Sequence, residues 1–526
     1  MYASVKSAGL RGFSAELVTV EVDLSSGLPR FDLVGLPNNA VSESKERVRS
    51  AVRSCGFQFP ISRITVNLAP ADFRKEGPIY DLPIFTAMML ADGQIISGQK
   101  TLEKKLKELE TAVFLGELSL NGEVRRVRGV LPMLIAAREH GMTEAFIPAG
   151  NAKEATAVSD AMRVFPVRTL SELLAHLRGE ALLKPVEPVG FEELVRRARP
   201  ENAPDFSEVI GQKEARRALE IAAAGGHNVL LVGPPGAGKS MLAKRLPGIL
   251  PEMTFEEALE TTNIYSVGGL LPEDLPLMVE RPFRSPHHTA TLAAMTGGGA
   301  QALPGEVTLA HNGVLFLDET PHFSRQVLEA LRQPLEDRSI TIVRSRFRAT
   351  YPGNIQLIGA MNPCPCGYHG VPYTENGPVC SCSLNDIRSY ADRLSGPFLD
   401  RIDIHVRVRP VSEKLLLQGK PAESSADIRT RVVAARAIQK ERFTGSGITC
   451  NAAMSHAQVS AFCALSDECR DLLLAAHEKH RFSARSNDKI LKVARTVADL
   501  DGSRDIGPAH LGEAIMLHAM DRYIDP

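Results

Sequence analysis

Alternation of apolar and polar residues marks the first part of the chain. Residues 64–68 switch character at every position and residues 18–22 do the same after the apolar pair Leu17-Val18, the period of strands with one buried face. Between them, residues 40–55 have helical spacing and stop at the turn-forming Gly56. Short apolar runs at 113–115 and 145–147 read as further strands, separated by a helix over 131–138. This order predicts an α+β or α/β domain that ends near Arg178. The prolines at Pro185, Pro188 and Pro200 then punctuate a linker.

From Phe206 the pattern changes. Residues 209–212 open a helix that runs to Ala224, and Gly225-Gly226 leads into the apolar run 229–232. A second run, 314–317, ends at Asp318-Glu319, and a third, 355–360, ends at Asn362. Strands that all finish in polar residues are what an open parallel α/β sheet presents at its ligand edge. Beyond Pro410 the spacing is helical, over 427–440, 457–476, 487–500 and 508–520, and predicts a C-terminal helical lid. The expected division is a domain over 1–179, a linker over 180–204, an α/β core over 205–410 and the lid over 411–526.

The run 229–232 is followed directly by Gly233-Pro234-Pro235-Gly236-Ala237-Gly238-Lys239-Ser240, a complete phosphate-loop pattern. Glycines let the backbone wrap a phosphate chain, Lys239 reaches the β/γ-phosphates, and Ser240 offers an oxygen to Mg²⁺. The loop predicts binding of ATP or GTP. Asp318, ending its strand, suits orientation of Mg²⁺, and Glu319 suits polarisation of the attacking water. Asn362 is placed to hold that water or to sense the γ-phosphate. Arg401, with Arg393 as its rival, is a candidate to reach a neighbouring subunit's γ-phosphate, and Arg485 on the lid to reach the nucleotide of its own chain.

Composition adds limits. At 526 residues the chain is too long for one ordinary core. Its formal net charge is −1, so nucleic-acid binding must come from local basic patches. One candidate is the alternating stretch holding Arg344, Arg346 and Arg348, expected on one face of a hairpin, where they suit a phosphate backbone or equally protect a sheet edge. Another is the stretch from Arg281 to His288. No apolar run is long enough to span a bilayer and no leader opens the chain, so a cytoplasmic protein without a membrane partner is expected. Of the 8 cysteines, Cys364, Cys366, Cys380 and Cys382 crowd into one segment. Two C-x-C pairs suit one structural Zn²⁺, with inert or redox-active thiols as the alternative. His369 reads as a bystander to that cluster.

Together these motifs resemble AAA+ ATPases of the magnesium-chelatase-like branch, and nearly the whole chain is similar to the bacterial YifB/ComM family. The strings that carry the resemblance are Arg284-Ser-Pro-His-His-Thr289, His311-Asn-Gly-Val-Leu-Phe-Leu-Asp-Glu319, Asn362-Pro-Cys-Pro-Cys-Gly367, Leu394-Ser-Gly-Pro-Phe-Leu-Asp-Arg-Ile-Asp403 and Ala494-Arg-Thr-Val-Ala-Asp-Leu500. The resemblance implies an ATP-driven homo-hexameric ring with pore-facing inserts. It also implies migration of branched DNA in natural transformation, with single-stranded and branched DNA and recombination proteins as partners. By position, Asn362 resembles the first sensor, Arg485 the second sensor and Arg401 the arginine finger. The chain up to about Leu170 resembles the Lon-protease fold. Where Lon carries its nucleophile string Lys-Asp-Gly-Pro-Ser, this chain has Lys75-Glu-Gly-Pro-Ile79, and Leu131 stands at the best match to the partner lysine. Isoleucine is no nucleophile and leucine no base, so the resemblance implies fold without peptidase activity. The competing function is a chelatase-like motor that remodels a protein partner.

Overall fold

The computed structural model describes every residue except 96–98, 199–202, 299–302, 345–346, 372–378, 412–414, 416–421, 481 and 520–526. It divides into two compact units, Met1–Ala198 with Thr254–Val279, and Arg199–Met253 with Glu280–Pro526. Among the described residues no helix is long and apolar enough to cross a membrane.

The first unit is built on a seven-stranded mixed sheet. In spatial order its strands are Arg30–Val34, Arg63–Ala69, Ser14–Ser25, Tyr2–Arg11, Ala112–Phe114, Glu144–Pro148 and Arg163–Val167. The alternation read from the sequence becomes burial: Val18, Val20 and Val22 are fully buried, and Asp23 faces outward. The expected helix over 40–55 is two helices, Asn39–Ser42 and Ser44–Ser54, because Asn38 caps the first through its side chain and Glu43 joins them. Helix Asp81–Ala91 gives no periodic signal because every one of its 11 residues is buried, so it has no polar stripe.

Segment Thr254–Val279 belongs to this unit although the residues on either side belong to the other. Its helix Phe255–Gly268 starts in a capping box between Thr254 and Glu257. The Ser266 hydroxyl donates to buried Glu154 at 2.8 Å, and Gly129 N–H donates to the Ser266 carbonyl at 3.0 Å. Burial pushes the Glu154 carboxyl up, while Asn151 and Ser266 oppose that by hydrogen bonding.

The second unit carries a five-stranded, all-parallel sheet in the order Phe283–Arg284, Val314–Leu317, Gln356–Met361, Val229–Val232 and Ile404–Arg407. Residues from helices Lys213–Gly225, Ser425–Arg442, Ala484–Leu500 and Pro508–Ala519 share its apolar core. The protein is thus an α/β structure with one mixed and one parallel sheet and a C-terminal helical region. The helix expected over 457–476 is two, His456–Phe462 and Asp467–His480, since Cys463 leaves helical geometry at φ −116° and ψ 44°.

Strands Ser339–Arg344 and Phe347–Pro352 form the expected hairpin. Its register corrects the expectation of a shared arginine face. Arg344 pairs with Phe347 and Arg348 with Val343, so positions 344 and 348 fall on opposite faces. Alternation puts residues on one face only along a continuous strand, and here a turn interrupts it. Arg346 lies outside the described residues.

Candidate nucleotide site and cysteine cluster

Strand register brings the predicted nucleotide residues to one edge. Val232 pairs with Met361 and Leu317 with Gly359, so Gly233, Asp318 and Asn362 all emerge where parallel strands end. Backbone demands explain the glycines. A Cβ at Gly233 would lie 2.3 Å from the Val408 carbonyl oxygen. Gly236 and Gly238 have φ of 75° and 93°, and the space beside Gly236 is open, as a phosphate cradle requires.

Lys239 is buried, and its ammonium donates to the Gly233 carbonyl at 2.7 Å, the Pro234 carbonyl at 2.9 Å and Asn362 Oδ1 at 3.1 Å. Burial draws its pKa down, and the charges of Asp318 and Glu319 oppose that. Ser240 Oγ donates to Asp318 Oδ2 at 2.7 Å, so the two oxygens proposed for Mg²⁺ already meet. Glu319 follows in the left-handed region at φ 51°, an unusual conformation for a non-glycine residue and one concentrated at functional sites. Its carboxylate is exposed, 3.7 Å from His288 Nδ1.

Sequence reasoning misses three neighbours. Gln212, at φ 50°, donates to the Ala237 carbonyl at 2.9 Å and so braces the loop from outside. Tyr390 lies near the backbone of Asn362, which draws its phenol down, but burial, reinforced by Glu319, pushes it up to about 12. His288 stands out in sequence only as part of a basic stretch. The arginines of that stretch are committed elsewhere: Arg281 donates to the Pro251 and Asn312 carbonyls, and Arg284 makes a two-pronged contact with Glu306 at 2.7 and 2.8 Å. A histidine beside Glu319 leaves no periodic trace in sequence.

The four cysteines of the crowded segment converge, with all their sulfurs within 4.8 Å of one another. Cys364 lies 3.3 Å from Cys366 and 3.8 Å from Cys380, and Cys366 lies 3.6 Å from Cys380. A tetrahedron with Zn–S bonds of about 2.3 Å has edges of about 3.8 Å, so the donor set fits zinc in number, type and spacing. His369 contributes its backbone N–H to Cys364 Sγ at 3.3 Å rather than its ring.

Comparison with known proteins identifies the family. The magnesium chelatase subunit ChlI model matches residues 205–416, a second ChlI subunit model matches 20–151, and the ChlI C-terminal model matches 422–518. Competence protein ComM of Haemophilus influenzae is 43% identical over 526 residues, covering 99% of this chain and 98% of that protein. YifB of Escherichia coli is 41% identical over 515 residues, covering 98% and 96%. The chain belongs to the YifB/ComM family. It is a magnesium-chelatase-like protein of the AAA+ motor class, and that membership supports ATP hydrolysis. Lon protease of Rhizobium meliloti is 26% identical over 188 residues, 34% of this chain. Ile79 and Leu131, the residues read from the sequence as standing where Lon carries its dyad, are buried in this YifB/ComM chain.

None of the three candidate arginines is among the hydrogen-bond partners of Lys239 in this YifB/ComM chain. The Arg401 carbonyl accepts from Asn228 Nδ2 at 2.8 Å, and Asn228 precedes the strand whose far end carries the phosphate loop. Arg401 is therefore at the opposite edge of its own sheet, with its guanidinium on Glu336. Arg485 is exposed, 4.0 Å from Asp400. Arg393 lies over the Tyr390 ring at 5.9 Å and lines an open cleft of about 630 Å³ with Arg325 and Arg388.

Proposed function

We propose that this chain is an ATP-dependent, homo-hexameric DNA motor that drives migration and unwinding of branched DNA during recombination. The observation that carries the motor reading is the junction of Lys239, Asn362, Ser240 and Asp318 at one sheet edge. Full-length similarity to a protein named for competence supports the DNA reading.

Lys239 and the backbone of 233–238 would hold the phosphates of ATP, and Ser240 and Asp318 would hold Mg²⁺. Bound Mg²⁺ neutralises charge on the β- and γ-oxygens. Glu319 takes a proton from the attacking water, its carboxylate being exposed and 3.7 Å from His288. Asn362 turns its amide from Lys239 towards that water. Arg401, at the far edge of its own sheet, serves a neighbouring subunit, and Arg485 contributes from the helical region. Cys364, Cys366, Cys380 and Cys382 hold structural Zn²⁺. The hairpin tip with Arg344, Arg346 and Arg348 contacts the DNA backbone. The first unit is a Lon-like scaffold whose dyad positions are filled by packing.

The deciding experiment is an unwinding and heteroduplex-extension assay on forked and four-way DNA, with and without ATP. Expected is ATP-dependent strand exchange that both Lys239→Ala and Glu319→Gln abolish. Hydrolysis without any DNA stimulation or remodelling would move the assignment to a motor acting on a protein partner.

A further inference from the structure

Resting on the reading that the cysteines hold zinc and the loop holds ATP, we infer that the cysteine knuckle is a positioning element of the nucleotide site. Zinc and nucleotide then bind cooperatively.

Three contacts carry this. First, Gly367, buried inside the knuckle, lies directly on the phosphate loop: a Cβ there would sit 2.6 Å from Pro235 Cδ and 3.8 Å from Asn362 Cγ. Its φ of 91° is also the left-handed conformation that glycine alone adopts readily. Second, the cluster begins two residues beyond Asn362, the residue that accepts from Lys239. Third, Cys382 is followed by Ser383, the N-cap of helix Leu384–Ala391, and that helix carries Tyr390, which lies near the Asn362 backbone. Both C-x-C pairs therefore adjoin Asn362 or an element beside it.

Zinc binding joins the end of the strand to the start of the helix, with Gly367 against Pro235. A knuckle closed around metal holds the loop and Asn362 in the arrangement that receives phosphate, and an open knuckle releases both. Linkage makes the effect reciprocal: whatever factor zinc adds to nucleotide affinity, nucleotide adds to zinc affinity.

The test uses the full-length protein purified without chelators. Zinc per chain is measured by elemental analysis, zinc transfer to a chromogenic chelator is timed with and without Mg²⁺ and a slowly hydrolysed ATP analogue, and affinity for that analogue is titrated. The wild type should hold one zinc per chain, and the analogue should slow its release about tenfold, within the usual range of coupling. Gly367→Ala keeps all four thiols but pushes the knuckle off Pro235. It should retain zinc, bind the analogue about tenfold more weakly and lose the protection. Pro235→Ala removes the contact from the other side and should weaken the coupling if Gly367→Ala fails to fold. Protein without zinc overturns the metal reading and the inference with it. Bound zinc whose release ignores the nucleotide, or a zinc-loaded Gly367→Ala with wild-type affinity, overturns the inference alone.

Discussion

Lys239 makes three hydrogen bonds, and two of its acceptors are carbonyls of its own loop. A charge-assisted hydrogen bond contributes about 1.5–3 kcal/mol, so Lys239→Ala should weaken nucleotide binding by about ten- to a hundredfold. Glu319→Gln keeps the shape and loses the base. It should bind the nucleotide normally but hydrolyse it about a hundredfold or more slowly, as loss of a general base predicts. Equilibrium titration alongside single-turnover hydrolysis separates the two, and wild-type turnover in Glu319→Gln would remove that residue from the mechanism. At this scale the loop and the strand-end polar residues are readable because spacing encodes them. Tyr390, Gln212 and His288 are not, since each reaches the site through a tertiary contact between segments remote in sequence.

Among elements, the strands are legible where one face is buried, as in Ser14–Ser25, and in the short apolar runs of the parallel sheet. Legibility fails where the period vanishes, in the wholly buried Asp81–Ala91, and where a turn hides inside a period, in the arginine hairpin. The edge strand Ile404–Arg407 is held at its start by Asp403, which accepts from Asn228 N–H at 3.0 Å. Burial would raise the Asp403 carboxyl, but His227 at 3.7 Å, the charge of Lys489 and the Asn228 N–H outweigh it and hold the group down at about 2. A depressed carboxyl stabilises the fold above its unfolded pKa of about 3.9, and that contribution is lost as pH falls through about 2. Asp403→Asn should therefore lower the melting temperature at neutral pH and flatten its dependence on pH between about 4 and 2. A parallel acid profile in the variant would contradict the assignment. For the hairpin, replacing Arg344, Arg346 and Arg348 together by Ala should weaken DNA binding across unrelated sequences. It should also reduce the salt slope by about 0.7–0.9 for each phosphate that an arginine no longer neutralises, with basal hydrolysis intact. Filter binding over a salt series decides this; an unchanged slope makes the hairpin a charged edge only.

On the scale of the whole molecule, the position of Arg401 bears on assembly. Its backbone is tied to Asn228, at the edge of the parallel sheet opposite the phosphate loop, so it is poorly placed to serve the nucleotide of its own chain. A ring of identical subunits resolves this, because the far edge of one sheet can face the loop edge of the next. Arg401→Ala should then bind ATP as the wild type does and hydrolyse it about a thousandfold or more slowly, the usual effect of losing an arginine finger. Lys239→Ala subunits should fail for the complementary reason, lacking the phosphate-binding lysine but keeping the proposed finger. Mixed rings would then contain interfaces in which an intact loop meets an intact Arg401, so co-assembly of two inactive proteins should restore part of the activity. The same mixing with Arg393→Ala tests its rival, which lines the cleft beside Tyr390. Subunit exchange has to be followed independently, for example by energy transfer between labelled chains. Mixing without recovery for Arg401→Ala, together with recovery for Arg393→Ala, would transfer the finger to Arg393.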